Sequence, residues 1–115
     1  MTEPETSPSD RRRQPRFLVR VPVQLTEGNE VHPAILKDLC RDAGLVEIRH
    51  GLELGSEVSL LLKLPGTGGP LQVGGRVVRV APGTEAGTLE AAVLFVNVTA
   101  AAETRIEFFI TLQAG

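Results

Sequence analysis

Six short segments in which apolar and polar residues alternate constrain the fold of this 115-residue chain more than any other feature. The first is the clearest: Phe17, Val21 and Leu25 fall on one side of an extended chain, and Arg20 and Gln24 fall on the other. Turn-forming Gly, Pro, Asn and Asp separate the segments. The predicted strands are residues 17–25, 30–39, 45–48, 57–64, 71–81 and 88–98. A small antiparallel sheet removes its unpaired edges by closing, so the expected fold is mainly β, a six-stranded antiparallel barrel.

Three places disturb this regular pattern. Pro22 lacks a backbone donor, which predicts an edge or a bulge in the first strand. Gly74 and Gly75, in the middle of the fifth strand, predict a bulge or a close approach of another backbone. Residues 38–44 are predicted to form a polar loop, because two aspartates there can accept hydrogen bonds from local amides and a glycine can adopt a positive φ.

The last part of the chain has the only clear 3.6-residue period. Thr99 can cap a helix, and Ile106 and Phe109 lie on one apolar stripe of it. We therefore expect a C-terminal helix over residues 99–113 that packs on the barrel.

The chain is expected to form one domain, over residues 11–115. Residues 1–10 consist mainly of Pro, Ser, Thr and acidic residues, which cannot bury enough apolar surface to offset the entropy of ordering. The sequence predicts a disordered N-terminal tail there.

Composition argues against two classes of partner. Four Phe and no Tyr or Trp leave few platforms for stacking bases, and the net charge of −2 attracts no polyanion, so no nucleic-acid binding is expected. No signal peptide or membrane-spanning run is recognisable, and the single cysteine fits a reducing compartment. We expect a cytoplasmic protein without membrane insertion.

The residues offer little catalytic chemistry. His32 and His50 are the two histidines, and each is interpreted as an ordinary surface residue because neither belongs to a metal-ligand or catalytic motif. Cys40 has no histidine near it in sequence and is interpreted as an incidental small residue. The expectation is a protein that is not an enzyme and holds no metal.

A basic cluster lies directly before the first strand. Arg11, Arg12, Arg13 and Arg16 are four of the twelve Lys and Arg residues of the chain. Guanidinium groups can offer paired donors to phosphate oxygens or to a guanine edge, and they can stack on a purine. Charge alone leaves two interpretations open, an anion site at the mouth of a β-domain or a solvated basic linker.

These features together resemble the PilZ domain family. Arg12 and Arg16 form its R-x-x-x-R motif, residues 38–44 are similar to its D-x-S-x-x-G loop, and residues 105–110 match its closing helix. The resemblance spans residues 11–112 and implies a six-stranded PilZ-like barrel. Many members are receptors for cyclic di-GMP, in which the arginines grip guanine and phosphate, with Arg11 and Arg13 as auxiliary basic residues here.

The second motif departs from the family pattern. Asp38 matches its first position, but Cys40 stands where Ser is expected. Ala43 occupies the glycine position, and Gly44 lies one residue late. A thiol is a poorer hydrogen-bonding group than a hydroxyl, and each unmade polar contact costs about 1–3 kcal/mol, which weakens binding by about ten- to a hundredfold.

The resemblance leaves two functions open. The first is a non-catalytic signalling adaptor that takes cyclic di-GMP as ligand and acts on an unidentified protein effector. The alternative is a PilZ protein that binds no cyclic di-GMP and works purely by protein interaction, for example in bacterial motility or cell polarity. A standalone domain must pass its output to another protein, and Leu18, Leu61 and Phe108 could form that surface, the core or a dimer contact.

Overall fold

A computed structural model describes residues 17–66 and 68–114. The elements are β1 (Phe17–Glu27), β2 (Glu30–Cys40), β3 (Ala43–Ile48), β4 (Glu57–Leu62), β5 (Leu71–Pro82), β6 (Leu89–Val96) and the helix α1 (Ala100–Ala114). The predicted strand limits differ from these by two residues at most. The six-stranded antiparallel barrel with one C-terminal helix is confirmed.

The strands close into a barrel in the order β1-β2-β3-β6-β5-β4. Closure is made between β1 and β4, where Val23 pairs with Leu62 and Thr26 pairs with Ser59. Every strand therefore has a neighbour on both sides, which removes the exposed backbone edges that promote aggregation.

Alternate apolar side chains fill the barrel. Five of them are fully buried: Leu25, Leu36, Val46, Leu60 and Val93. Each lies on a different strand, so the core is built from inward-facing rows of β-branched and aliphatic residues, as the period of two predicts.

Helix α1 begins after a side-chain cap. The amide of Ala102 donates to Thr99 Oγ1 at 3.1 Å, which satisfies one of the free donors of the first turn. Ile106 and Phe109 are buried, whereas Phe108 is 50% exposed. The helix contacts β1 and β2, so its apolar stripe covers that side of the barrel. No helix within the described part of the chain is long and apolar enough to cross a bilayer.

The prediction of a polar loop over residues 38–44 is wrong. β2 continues to Cys40 and β3 starts at Ala43, so only Arg41 and Asp42 form the turn. The ladder persists because Leu39 is fully buried and pairs with Gly44, which anchors both strands in the core.

The irregularities of the barrel are bulges. A register shift between Leu18 and Val21 lies directly ahead of Pro22, which agrees with the bulge predicted there. In β5 the shift lies between Val77 and Arg79 instead of at the two glycines.

The predicted close approach is confirmed at Gly75. A Cβ atom on this residue would collide with Val93 Cγ1 and would lie 3.1 Å from the carbonyl oxygen of Leu94. A Cβ atom on the neighbouring Gly74 would meet nothing closer than Val96 Cγ2, at 3.7 Å. Of these two glycines, Gly75 is the one that depends on having no side chain.

Gly75→Ala is expected to lower the free energy of unfolding by about 1–3 kcal/mol, because the added methyl group overpacks the core. Gly74→Ala, the matched control, should change it by less than about 1 kcal/mol, since alanine also restricts the unfolded chain. Urea denaturation of both variants measures the difference. Equal losses in the two variants would contradict the steric argument.

Candidate functional site

The β2–β3 hairpin carries all four of the described residues that the sequence assigned to ligand binding. Asp38 pairs with Leu45, and Cys40 pairs with Ala43. Leu39, between the two β2 residues, points into the core, so Asp38, Cys40 and Ala43 lie on the outer face of the hairpin.

Gly44 does not share this face. A Cβ atom on Gly44 would lie 3.0 Å from Leu36 Cδ1 and 3.3 Å from Phe95 Cζ, which are side chains of the core. Its missing side chain makes room inside the barrel. The hairpin thus brings three of the four motif residues together and turns Gly44 away from them.

Asp38 and Cys40 have distinct environments. Asp38 is 6% exposed, and within the described part of the chain it is the only buried charged residue. Cys40 Sγ donates to Asp42 Oδ1 at 3.4 Å. Burial raises the pKa of the Cys40 thiol, which keeps it protonated and a weak nucleophile. This face of the hairpin therefore carries the carboxyl group of a buried aspartate and a partly buried, protonated thiol.

The start of β1 lies beside this hairpin. Phe17 pairs with Leu39 and Leu18 pairs with Asp38. Arg16 immediately precedes Phe17 in the sequence. Arg11, Arg12, Arg13 and Arg16 themselves lie outside the described residues.

The hairpin turn also reaches the helix. Arg41 Nη1 donates to Glu107 Oε2 at 3.3 Å, and both side chains are about half exposed. An exposed pair of this kind adds little stability. It does place the hairpin beside the helix turn that carries the exposed Phe108.

A polar network farther along β3 was not predicted from the sequence. Lys37 Nζ donates to Glu47 Oε1 at 2.9 Å and to Glu90 Oε2 at 2.8 Å, which links β2, β3 and β6. Glu47 also accepts hydrogen bonds from the Thr88 hydroxyl and from the Thr84 amide, at 3.0 Å for the latter. One carboxylate therefore fixes the loop between β5 and β6 onto β3.

The network shifts the titration of its members. The hydrogen bond from Thr88, followed by that from Lys37, holds the pKa of Glu47 well below its ordinary value. Hydrogen bonds to Glu90 and Glu47 raise the pKa of Lys37. Both shifts favour the charged forms.

Glu47→Gln is expected to lower the urea midpoint at neutral pH. Because the folded-state pKa is depressed, the ionised carboxylate contributes stability above the ordinary Glu pKa of about 4.3, and this contribution is lost as the pH falls below that value. The difference between wild type and Glu47→Gln should therefore shrink steadily from about pH 4 downwards. Denaturation at several pH values, with the exposed Glu57→Gln as control, measures it. A difference that stays constant from neutral to acidic pH would contradict this account.

The fixed loop forms one wall of a pocket of about 470 Å³. Its other walls come from β1, β2, β3 and the residues that follow β3, including Arg20, Ile35 and Arg49. The pocket lies along the same three strands as the hairpin face but away from the hairpin turn.

His32 and His50 are not isolated surface residues. Their rings stack with centroids 3.7 Å apart, and both side chains are partly buried. The sequence separates them by eighteen positions, so only the pairing of the strands reveals the contact.

Comparisons with known proteins agree on one fold. The sequence matches the model of the PilZ domain family over residues 10–112. The structure is similar to the PilZ domain of YcgR from Escherichia coli with c-di-GMP, at a TM-score of 0.72 and 16% identity over 90% of this chain and 94% of that one. It is similar to the Inhibitor of motility (MotI/DgrA) of Bacillus subtilis, at a TM-score of 0.72 and 16% identity over 88% of this chain.

This chain spans about half the length of the Bacillus protein, since the match covers 50% of it. The structure is also similar to the PilZ domain of CeSA from a cellulose-synthesising bacterium, at a TM-score of 0.63 and 15% identity over 87% of this chain and 98% of that one. No curated protein matches the sequence.

Proposed function

The chain belongs to the PilZ domain family, and we propose that it is a non-catalytic signalling adaptor that binds cyclic di-GMP and acts on a protein partner in the cytoplasm. One observation carries the proposal. The first residues of β1 pair with β2 at Leu39 and Asp38, which supports the proposal that the arginine-rich segment, next to β1 in sequence, would act beside the hairpin.

The two sides of this site have complementary chemistry for a guanine dinucleotide. Arg12 and Arg16 would supply paired donors to phosphate oxygens and to the O6 and N7 acceptors of guanine. Asp38 would accept from the N1 and N2 donors on the opposite edge of the base. Arg11 and Arg13 would add positive potential around the phosphates.

The structural neighbours support the ligand class. The Escherichia coli domain and the PlzA protein of Borreliella burgdorferi were both solved with c-di-GMP. The family membership supports the transfer of that ligand to this chain as a hypothesis, and the hairpin geometry supports the location.

Cys40 and Ala43 should make the binding weaker than an intact second motif would. A thiol replaces the expected hydroxyl, and the Ala43 methyl group occupies the outer face where the family has glycine. Each missing polar contact costs about 1–3 kcal/mol.

The output would pass through an exposed apolar surface near the site. Leu18, at the start of β1, is 87% exposed, and Phe108 is 50% exposed on the helix that contacts the hairpin turn. Leu61, the third apolar candidate, is partly buried on β4 and is less suited to a partner.

The same surface supports a second candidate function. With a damaged motif and exposed Leu18 and Phe108, the domain would regulate a partner by protein interaction alone, for example in motility or cell polarity. This alternative needs no nucleotide and predicts that none binds.

Calorimetric titration with cyclic di-GMP distinguishes the two functions. The adaptor should bind one site with a dissociation constant of about 1–100 μM, and Cys40→Ser should tighten it about tenfold by restoring the hydroxyl. If neither protein gives binding heat up to about 500 μM ligand, the nucleotide-binding function is wrong and the interaction-only function is supported.

A further inference from the structure

Three side chains that can ligate a metal, Glu30, His32 and His50, meet at one end of the barrel, away from the turn between β2 and β3, and a fourth, Glu27, lies beside His50. His32 Nε2 lies 3.2 Å from Glu30 Oε1, and His50 Nε2 lies 3.1 Å from Glu27 Oε1. The ligand atoms of Glu30, His32 and His50 all lie within 4.8 Å of one another. The two imidazole rings stack at 3.7 Å with an interplanar angle of 12°.

The strand register explains why these residues converge. His32 pairs with the fully buried Leu25, and Glu30 pairs with Glu27, so all three polar residues continue rows that face the core. His50 follows Ile48 by two residues and extends the inward-facing row of β3 in the same way. At this end of the barrel, the inward-facing positions are occupied by imidazoles and carboxylates instead of apolar side chains.

This arrangement carries an electrostatic cost that a cation would relieve. Glu27 and Glu30 are directly opposite each other across the β1–β2 hairpin, and like charges in that position are destabilising. Each carboxylate has a histidine beside it, and a divalent ion shared by all four groups would compensate both charges.

We propose that Glu27, Glu30, His32 and His50 form a binding site for a zinc ion. In a tetrahedral site with bonds of about 2.0–2.1 Å, neighbouring ligand atoms lie about 3.3 Å apart, close to the two His–Glu separations. Among Glu30, His32 and His50 the remaining atoms must approach by at most about 1.5 Å. The Glu27 side chain must also turn toward the ion, and the rings must tilt out of the stack. Side-chain exposures of 22% for His32 and 31% for His50 leave room for this rotation.

The ligand set selects the class of metal. Two imidazoles with two carboxylates suit zinc and the neighbouring transition metals, whereas Mg²⁺ and Ca²⁺ prefer sites made of oxygen atoms. A bound ion would tie the β1–β2 turn to the segment that follows β3. It would stabilise the barrel without involving the hairpin face proposed for the nucleotide, so the two proposals can fail separately.

The test is a calorimetric titration of the full chain, free of any affinity tag, with zinc chloride. We expect one Zn²⁺ per chain with a dissociation constant of about 10 μM or tighter, and no binding of Mg²⁺. The His32→Ala/His50→Ala double variant should bind at least about tenfold more weakly. Cys40→Ser and Glu57→Gln, which change a thiol and a carboxylate elsewhere on the barrel, should bind as wild type does.

A second measurement requires no variant. The chain contains only two histidines, so the imidazole proton resonances of the wild-type protein report directly on the site. Zinc should shift both sets in a one-to-one titration. The proposal is overturned if neither set moves up to about 1 mM zinc, or if the double variant folds and binds zinc as tightly as wild type.

Discussion

Arg16→Ala is expected to weaken cyclic di-GMP binding by about ten- to a hundredfold. The loss of a charge-assisted, bidentate contact costs about 1.5–3 kcal/mol, and one factor of ten corresponds to about 1.4 kcal/mol. The arginine directly precedes Phe17, which pairs with Leu39 of the hairpin. Calorimetric titration of the variant against wild type measures the change.

Arg79→Ala is the matched control for this experiment. Arg79 is an exposed arginine on β5, which lies between β4 and β6 and has no pairing with β2. Its removal changes the net charge of the chain equally but should leave the affinity within about twofold of wild type. If both variants lose affinity to the same extent, the arginines act only through the overall charge and the proposed site is wrong.

Phe109→Ala is expected to lower the free energy of unfolding by about 3–5 kcal/mol. Phe109 is 2% exposed and is among the largest fully buried side chains, where α1 covers the barrel. Its truncation removes apolar burial and leaves a cavity that rigid strands cannot collapse to fill. Small domains have a total stability of about 5–15 kcal/mol, so this variant should be close to unfolding at physiological temperature.

Phe108→Ala provides the comparison within the same turn of the helix. Phe108 is 50% exposed, and its removal should cost less than about 1 kcal/mol. Urea denaturation followed by circular dichroism measures both variants. Equal losses would mean that the helix packs on the barrel through a different face. A Phe108→Ala protein that folds normally would also be suited to tests of partner binding.

The fold was predictable because its signals are local. Alternation from Val19 to Leu25 specifies which side of β1 is buried, and the 3.6-residue spacing of Ile106 and Phe109 specifies the buried stripe of the helix. Both patterns depend only on neighbours in sequence. The R-x-x-x-R motif of Arg12 and Arg16 is equally local, although its role stays a prediction.

The hairpin was less predictable because its residues have conflicting preferences. Asp38 and Asp42 favour turns, but Leu39 between them is buried in the core, and the strand continues one residue past its predicted end, to Cys40. Burial of one leucine outweighed the turn preference of its neighbours. Because the β2–β3 pairing continues through these residues, Ala43 lies on the outer face and Gly44 faces the core.

The remaining clusters depend on register, which a single sequence does not specify. His32 and His50 meet because Ala34, two residues after His32, pairs with Ile48, two residues before His50. A bulge moves every later pair by one residue, and this barrel has three of them. The network around Glu47 likewise joins a strand to a loop almost forty residues away.

The most direct test of the central claim is a titration of isotope-labelled protein with cyclic di-GMP, followed by amide NMR. The account predicts saturable shifts concentrated in residues 38–44 and in the arginine-rich segment 11–16, with β5 unaffected. Shifts confined to other surfaces, or no shifts up to about 500 μM ligand, would contradict the proposed nucleotide site.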